Sequence, residues 1–358
     1  MLTSERIKRR AHELGFDLCG IAPARRHPEL DALPAWLDRG YAGTMTYLHR
    51  SAARRADVRR VLPTARAVIM TGTVYNTPRP YSTDGRDPSR ALIARYAWGD
   101  DYHEVLGRRL DALVAWMRDE ADGPFDARAY VDTGPVQERV YAQHAGLGWI
   151  GKNTCLISPG HGSWLFLGEV LCSLPLEPDA PGFDRCGTCT LCLDSCPTGA
   201  LVEPRQLDAT KCLSFLTIEL KQTIPPAQRA SIGTHVYGCD VCQEVCPWNL
   251  APIQSADPAW QPRPALDLPR LLDLWRMSDA GLQALLDGTA MVRAPLTAWR
   301  RNLAVAIGNS DDRDAAAELE RPRDDAPSLD DPMVAAHVRW AVERLRAPAL
   351  GAGRAPRL

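Results

Sequence analysis

Cys186, Cys189, Cys192 and Cys196 form a C-x2-C-x2-C-x3-C run that ends on Pro197. No other feature constrains the chain as strongly. Three thiolates at successive x2 spacings can wrap the corners of one iron–sulfur cubane, while the fourth reaches a second. Cys239, Cys242 and Cys246 repeat the pattern one cysteine short, as C-x2-C-x3-C followed by Pro247, and Cys212 lies between the runs. Four, three and one thiolates make the eight that two [4Fe–4S] clusters require. Structural zinc is the competing reading of C-x2-C pairs, but zinc sites gather two close pairs rather than three evenly spaced cysteines. By the interleaving of two-cluster ferredoxins, Cys186, Cys189, Cys192 and Cys246 hold one cluster. Cys196, Cys212, Cys239 and Cys242 hold the other. Clusters so close together suit an electron relay.

The 358 residues can bury two or three cores. Hydrophobic content of 45% and charged content of 24% are those of an ordinary globular protein. Charged residues from Glu5 to Asp17 leave no room for an apolar signal core. The most apolar stretch, Trp164 to Leu176, is interrupted by Gly168, Glu169 and Pro175 and is too short to cross a bilayer. A cytoplasmic location is expected. There, eleven cysteines point to metal or redox chemistry rather than disulfides. Cys19, Cys155 and Cys172, outside the runs, read as buried small hydrophobes. The net charge of −2 argues against a globally basic nucleic-acid coat but not against a local patch.

Residues 1 to about 175 read as mixed α/β. Helical stretches at Ser4–Gly15, Tyr102–Asp119 and Pro135–Ala145 alternate with strand candidates at Ala67–Thr73, Ala127–Val131 and Cys155–Ser158. Pro175, Pro178, Pro181 and Gly182 mark a linker into the cysteine segment, and Pro252, Pro258, Pro262 and Pro264 a second boundary. Beyond it, Ala298–Gly308 and Met333–Leu345 carry apolar residues three and four apart, a helical tail of HEAT-like character.

Gly146 to Lys152 matches both G-x-G-x-x-G and G-x-x-x-x-G-K. It follows a helix and leads into a strand, whereas phosphate loops run from strand to helix. A nucleotide site is therefore not indicated, although close backbone approach to another flat ligand stays open. Asp132 ends a strand and opens the turn Asp132-Thr133-Gly134-Pro135, with Pro135 expected at the first helical position. From the residues alone it is more simply a turn-forming aspartate than a catalytic acid. Arg54, Arg55, Arg59 and Arg60 form a basic cluster that is either a solvated helix face or a phosphate or amide contact.

VDTGPVQER (Val131–Arg139), GLGWIGKNTCLISPGHGSWLFLGE (Gly146–Glu169), KCLSFLTIE (Lys211–Glu219), GCDVCQEVCPWN (Gly238–Asn249) and RYAWGDDYH (Arg95–His103) together resemble the epoxyqueuosine reductase family. The likeness spans about residues 5 to 310, in family order. It implies an α+β fold: a nitroreductase-like cobalamin-binding α/β domain over 1–175, a ferredoxin-like two-cluster domain over 176–255 and a short helical HEAT-like tail over 256–358 that contacts tRNA. The implied reaction reduces epoxyqueuosine to queuosine at the wobble position of tRNA. Cobalamin and two [4Fe–4S] clusters would be the cofactors, and an external low-potential donor the source of electrons. The resemblance also implies a monomer with no membrane attachment. It makes Asp132 the proton donor, reversing the reading from the residues alone, and places Arg55, Asp132, Asn153, Ser214 and Asp240 near the corrinoid. A donor of this kind is expected to have a pKa raised towards neutrality by burial. Two other readings share parts of the pattern: a reductive dehalogenase-type cobalamin enzyme acting on a small organohalide, and an iron–sulfur electron carrier without cobalamin.

Overall fold

A computed structural model describes residues 2–85 and 87–347. The end of the expected tail segment, 348–358, lies outside the described residues. The N-terminal part is built on a four-stranded sheet of β1 (Leu18–Pro23), β2 (Ala67–Val74), β3 (Ala127–Tyr130) and β4 (Leu165–Cys172), in the order β1-β2-β4-β3. Every pairing is antiparallel. β2 lies between β1 and β4, and all eight of its residues are buried, as their apolar and β-branched composition allows. The alternation of helices and strands therefore does not build parallel βαβ units here.

Helices α1 (Ser4–Glu13) and α3 (Tyr102–Glu120) cover one face of the sheet. Leu106, Leu110 and Leu113, at helical spacing along α3, meet Ile69 of β2 and Val170 of β4 in one core. The opposite face carries Val68, Met70, Leu167 and Leu171, and on it lies α4 (Glu138–His144) with Val140 and Tyr141. Helix α2 (Thr46–Arg55) ends beside α4, where Arg55 donates to the Val136 carbonyl at 2.9 Å. Helix α4 starts three residues later than expected. Pro135 is thus not at its first position but in the turn before it, and the Val136 carbonyl accepts from Arg55.

The glycine run packs backbone against backbone. A side chain on Gly148 would place its Cβ 2.1 Å from the Ile157 carbonyl oxygen, and one on Gly182 would stand 1.8 Å from that of Gly148. Trp149–Ile150 and Leu156–Ile157 form a two-stranded hairpin here. The two proline-rich segments are likewise strapped down rather than free. Asp179 ties down the backbone of Ile21 of β1 from both sides, its N–H donating to the carbonyl at 2.9 Å and its carboxylate accepting the N–H at 2.8 Å. The second segment returns to the N-terminal part through Ser255 N–H to Asn76 carbonyl at 2.7 Å and an ion pair between Arg109 and Asp257.

Tail helices α5 (Leu296–Gly308) and α6 (Pro332–Arg346) pack on each other and on the cysteine module. One apolar cluster joins Ile93 and Trp98 of the N-terminal part, Val236 and Tyr237 of the module, and Leu303 and Ile307 of α5. The same helix carries Arg300, Arg301 and Asn302, all fully buried. The Arg301 guanidinium donates to the carbonyls of Leu216, Leu220 and Gln222 at 2.6–2.8 Å, and Asn302 to those of Thr217 and Val236 at 2.8 and 2.9 Å. Two of these bonds, to Leu216 and Thr217, satisfy carbonyls of a π-helical turn, Phe215–Glu219, and the others tie down the chain around it. Replacing Arg301 by Met should strand the buried Leu216 and Leu220 carbonyls and cost about 3–5 kcal/mol. Urea denaturation under anaerobic conditions would show it, with exposed Arg339→Met as a control expected within about 0.5 kcal/mol of the parent.

Candidate functional site

The two cysteine groups assemble from both ends of the module. Cys186, Cys189, Cys192 and Cys246 stand round a small cavity that Asn153 and Trp248 help to line. The Trp149 indole N–H points at the Cys186 sulfur at 3.4 Å, and Lys152 donates to the carbonyls of Gly187 and Cys189 at 2.7 and 2.8 Å. Cys196, Cys212, Cys239 and Cys242 form the second group, each within electrostatic reach of another member. The Ala200 N–H donates to the Cys196 sulfur at 3.3 Å, and Ser214 sits against Cys212. Hydrogen bonds to ligand sulfurs are one of the protein's means of setting a cluster's potential. Cys155 does not read as a plain hydrophobe after all, because its thiol meets that of Cys242. Cys172 is fully buried as expected, and burial pushes the Cys19 thiol up to about 12.

Asn153 is buried with both ends of its amide in use, one on the Cys242 carbonyl at 3.0 Å and the other on the Cys155 N–H at 3.2 Å. Asp240 accepts from the Arg95 N–H at 2.6 Å; burial, reinforced by Glu244, lifts its carboxyl to about 7. Arg139 bridges outward from there. Its charge acts on Cys155, Glu138 and Asp132, and it donates to the Thr154 carbonyl at 3.1 Å. A row of polar groups thus runs from the second cysteine group to the turn after β3.

Asp132 occupies that turn with φ of 56°, in the left-handed region that aspartate tolerates better than most residues. Tyr102 donates to its Oδ2 at 3.1 Å, and His103 Nε2 lies 3.6 Å from the same oxygen. The side chain is 59% exposed, yet desolvation still acts on it strongly. That combination is expected on the wall of a cleft, where solvent enters from one side only. The expected upward shift is not what the structure shows: the His103 imidazolium, against the effect of desolvation, holds the Asp132 carboxyl below its usual range. Burial alone would have raised it, but the contact with a cation wins. Burial works against the charge on His103 too, but Asp101 and Asp132 lift its pKa to about 9.

Two further carboxyls stand behind Asp132, and neither belongs to the expected site. Burial and the charge of Asp132 push Glu138 up to about 7. Glu169 lies within β4, opposite Met70 and Tyr130, and is 1% exposed with no partner for Oε2. Burial, then Glu138 and Asp132, raise it well above the carboxylate range, against the pull of Arg55. A single acid inside the apolar run LFLGEVLC was the signal in the sequence. For His103 the signal was its position beside Asp100 and Asp101 in RYAWGDDYH. Gln137 Nε2, in the turn before α4, is also buried without a partner. An unmet donor and an unmet acid beside one cleft fit a ligand rich in amides, as the rim of a corrin ring is.

Two raised carboxyls mean that the folded chain holds protons the unfolded chain has lost. Their contribution to stability is therefore present below about pH 4.5 and falls as pH rises through about 7 for Glu138, and higher for Glu169. Glu169→Gln should leave the thermal midpoint at pH 4.5 unchanged and raise it at pH 8. An equal pH dependence in variant and parent would show that Glu169 is ionised in the folded protein.

Eight cysteines in two groups beside a cleft lined with acids define a double-cluster iron–sulfur protein. A family model for a 4Fe-4S double cluster binding domain matches residues 185–249, a span that holds all eight cysteines, and one described as "Epoxyqueuosine reductase QueG, DUF1730" matches residues 55–133. Epoxyqueuosine reductase of Xanthomonas campestris pv. campestris is 40% identical over 94% of each chain. Among solved structures, an epoxyqueuosine reductase with an epoxyqueuosine-modified tRNA-Tyr stem loop superposes with a TM-score of 0.84 at 31% identity, covering 96% of this chain and 90% of that one. The Bacillus subtilis epoxyqueuosine reductase, in a form whose aspartate-bearing catalytic loop is swung out of the active site, gives 0.83 at 31% identity over 96% and 91%. The chain belongs to the epoxyqueuosine reductase family. Neither the dehalogenase reading nor the plain carrier reading is favoured by this membership. Among the described residues no helix is long and apolar enough to cross a membrane.

Proposed function

We infer that this chain reduces epoxyqueuosine to queuosine in the anticodon of tRNA. The observation that carries the reading is the row of polar groups running from the second cysteine group, past Cys155 and Arg139, to Asp132. It sets an electron store and a proton-handling carboxylate on one cleft. Residues 1–175 act as a nitroreductase-like cobalamin domain, 176–255 as a ferredoxin-like module and 256–358 as a HEAT-like tail that meets RNA. Cys186, Cys189, Cys192 and Cys246 hold one cluster; Cys196, Cys212, Cys239 and Cys242 hold the other. Arg55, Gln137, Glu138, Asn153, Glu169, Ser214 and Asp240 would hold cobalamin, with Asn153 acting through the backbone it braces. When bound, the clusters carry single electrons and cobalamin supplies the low-valent metal chemistry that breaks a carbon–oxygen bond, for which no side chain has the potential.

The protein's own part is to position and to protonate. Asp132, exposed on a turn, delivers a proton to the epoxide oxygen. The movable catalytic loop of the Bacillus subtilis relative supports a turn that swings in with substrate. Tyr102 steers the carboxylate through its hydroxyl, the neutral acid Glu169 adds no negative charge beneath the reacting oxygen, and Glu138, whose carboxyl titrates near 7, adds only part of one. The wobble base must leave its stack to reach the cleft, at a cost of a few kcal/mol. Arginine contacts to phosphate supply most of the affinity, which therefore weakens with salt. A tRNA substrate and reduced thiolates suit a cytoplasmic monomer served by an external low-potential donor.

Asp132→Asn in the holoenzyme should bind an epoxyqueuosine stem loop within about twofold of the parent while kcat falls about 10²-fold or more. Mass analysis of the nucleosides reads the conversion. Turnover by this variant at the parent rate would remove Asp132 from the chemistry. Cys212→Ala should lower anaerobic iron content from about eight to about four atoms per chain. An unchanged iron count would mean that Cys212 holds no cluster.

A further inference from the structure

Turning an epoxide into an alkene takes up two electrons and two protons and releases one water. The electrons come from the external donor, but Asp132 carries at most one proton at a time. The His103 imidazolium favours its ionised form, so a proton has to reach it in each turnover. An acid adjacent to it can supply that proton.

His103 has the geometry for this. Its Nδ1 lies 2.7 Å from Asp101 Oδ1, which fixes the tautomer and leaves Nε2 facing Asp132 Oδ2 at 3.6 Å. The ring stacks on Tyr102 at 4.0 Å, and Tyr102 in turn stacks on Phe166 at 4.5 Å. Asp101 is itself fixed, because the same oxygen caps α3 by accepting the His103 N–H at 3.0 Å. The imidazole is 31% exposed, so solvent can return a proton to it. The gap to Asp132 closes with a shift of about 0.5 Å, and catalytic hydrogen bonds are commonly long before substrate binds. Asp101 and Tyr102 face the ring from α3 and its cap, and Asp132 from the turn after β3. The charge of Glu138 on α4 also reaches it.

Building on the activity inferred above, we propose that His103 is the positioning residue that reloads Asp132. The Nε2–H bond breaks and the Asp132 Oδ2–H bond forms as the charge growing on the epoxide oxygen draws the proton on from the carboxyl, and the neutral ring then takes a proton from solvent. Asp101 holds the ring throughout. The relay turns over twice per epoxide, once for each proton.

The raised pKa of His103 places the expected alkaline limb of kcat near pH 9. The test compares parent, His103→Gln and Asp101→Asn holoenzymes on an epoxyqueuosine stem loop from pH 6 to 10. Glutamine should lower kcat about 10²-fold with KM within about twofold, abolish the limb, and respond to added imidazole with partial recovery. Asparagine keeps the cap but removes the charge, so it should move the limb down by about one pH unit. The relay is overturned if His103→Gln keeps both kcat and the limb. It is also overturned if the loss is equal at every pH, imidazole restores nothing, and Asp101→Asn leaves the limb in place. Failure of the parent enzyme to convert the stem loop is a separate result, which sinks the activity itself.

Discussion

Cys246 stands beside Cys186, Cys189 and Cys192, although Cys196, Cys212, Cys239 and Cys242 of the other group all intervene in sequence. That crossing is the constraint on which the rest of the structure hangs. It forces the chain to leave the first run, pass through Cys212, and come back so that the second run lies against the first. Short helical turns at Leu191–Asp194 and Val241–Glu244 do this locally, and they pack on each other. Between them the backbone takes a π-helical turn whose carbonyls need outside donors, and these come from Arg301 and Asn302 on α5. The tail is therefore part of the frame that holds the cysteines, whatever else its outer face does.

On the other side of the module, electrostatics divides the acids by depth. Asp132 at the cleft wall is ionised because a cation faces it. Glu169 in the sheet is neutral because the pull of Arg55 is too weak to offset its burial, and Glu138 lies between these extremes. The same carboxyl chemistry thus has different states within one cleft. At rest the ion pair keeps its proton on His103, and a neutral acid beneath Asp132 adds no repulsion. In the proposed relay Asp132 is therefore a carrier of protons rather than a store of them.

Much of this was legible in the residues. The spacing of the cysteines sorted them into the two sets that the fold brings together, since a cubane imposes its own geometry on whatever loop binds it. Helices α1, α3, α5 and α6 followed from apolar residues three and four apart, with errors of a few residues at their ends. The glycine run follows α4 and leads into a hairpin, the order that its neighbours in sequence indicated. Other features were hidden because they depend on partners distant in sequence. β1 has no alternating pattern, because α1 covers one of its faces and α4 the other. Glu169 looked like an interruption of an apolar stretch. Arg301 looked like an ordinary polar residue of a helix whose visible signal was Leu303 and Ile307.

What the sequence determined by itself was ligand chemistry and family, because both reside in residue types at short, fixed spacings. Only the tertiary structure decided the protonation of the site. A carboxyl's pKa is set by depth and by the sign of its nearest neighbours, and those neighbours reach Asp132 from α3, α4 and β4 across stretches of chain that no local pattern connects.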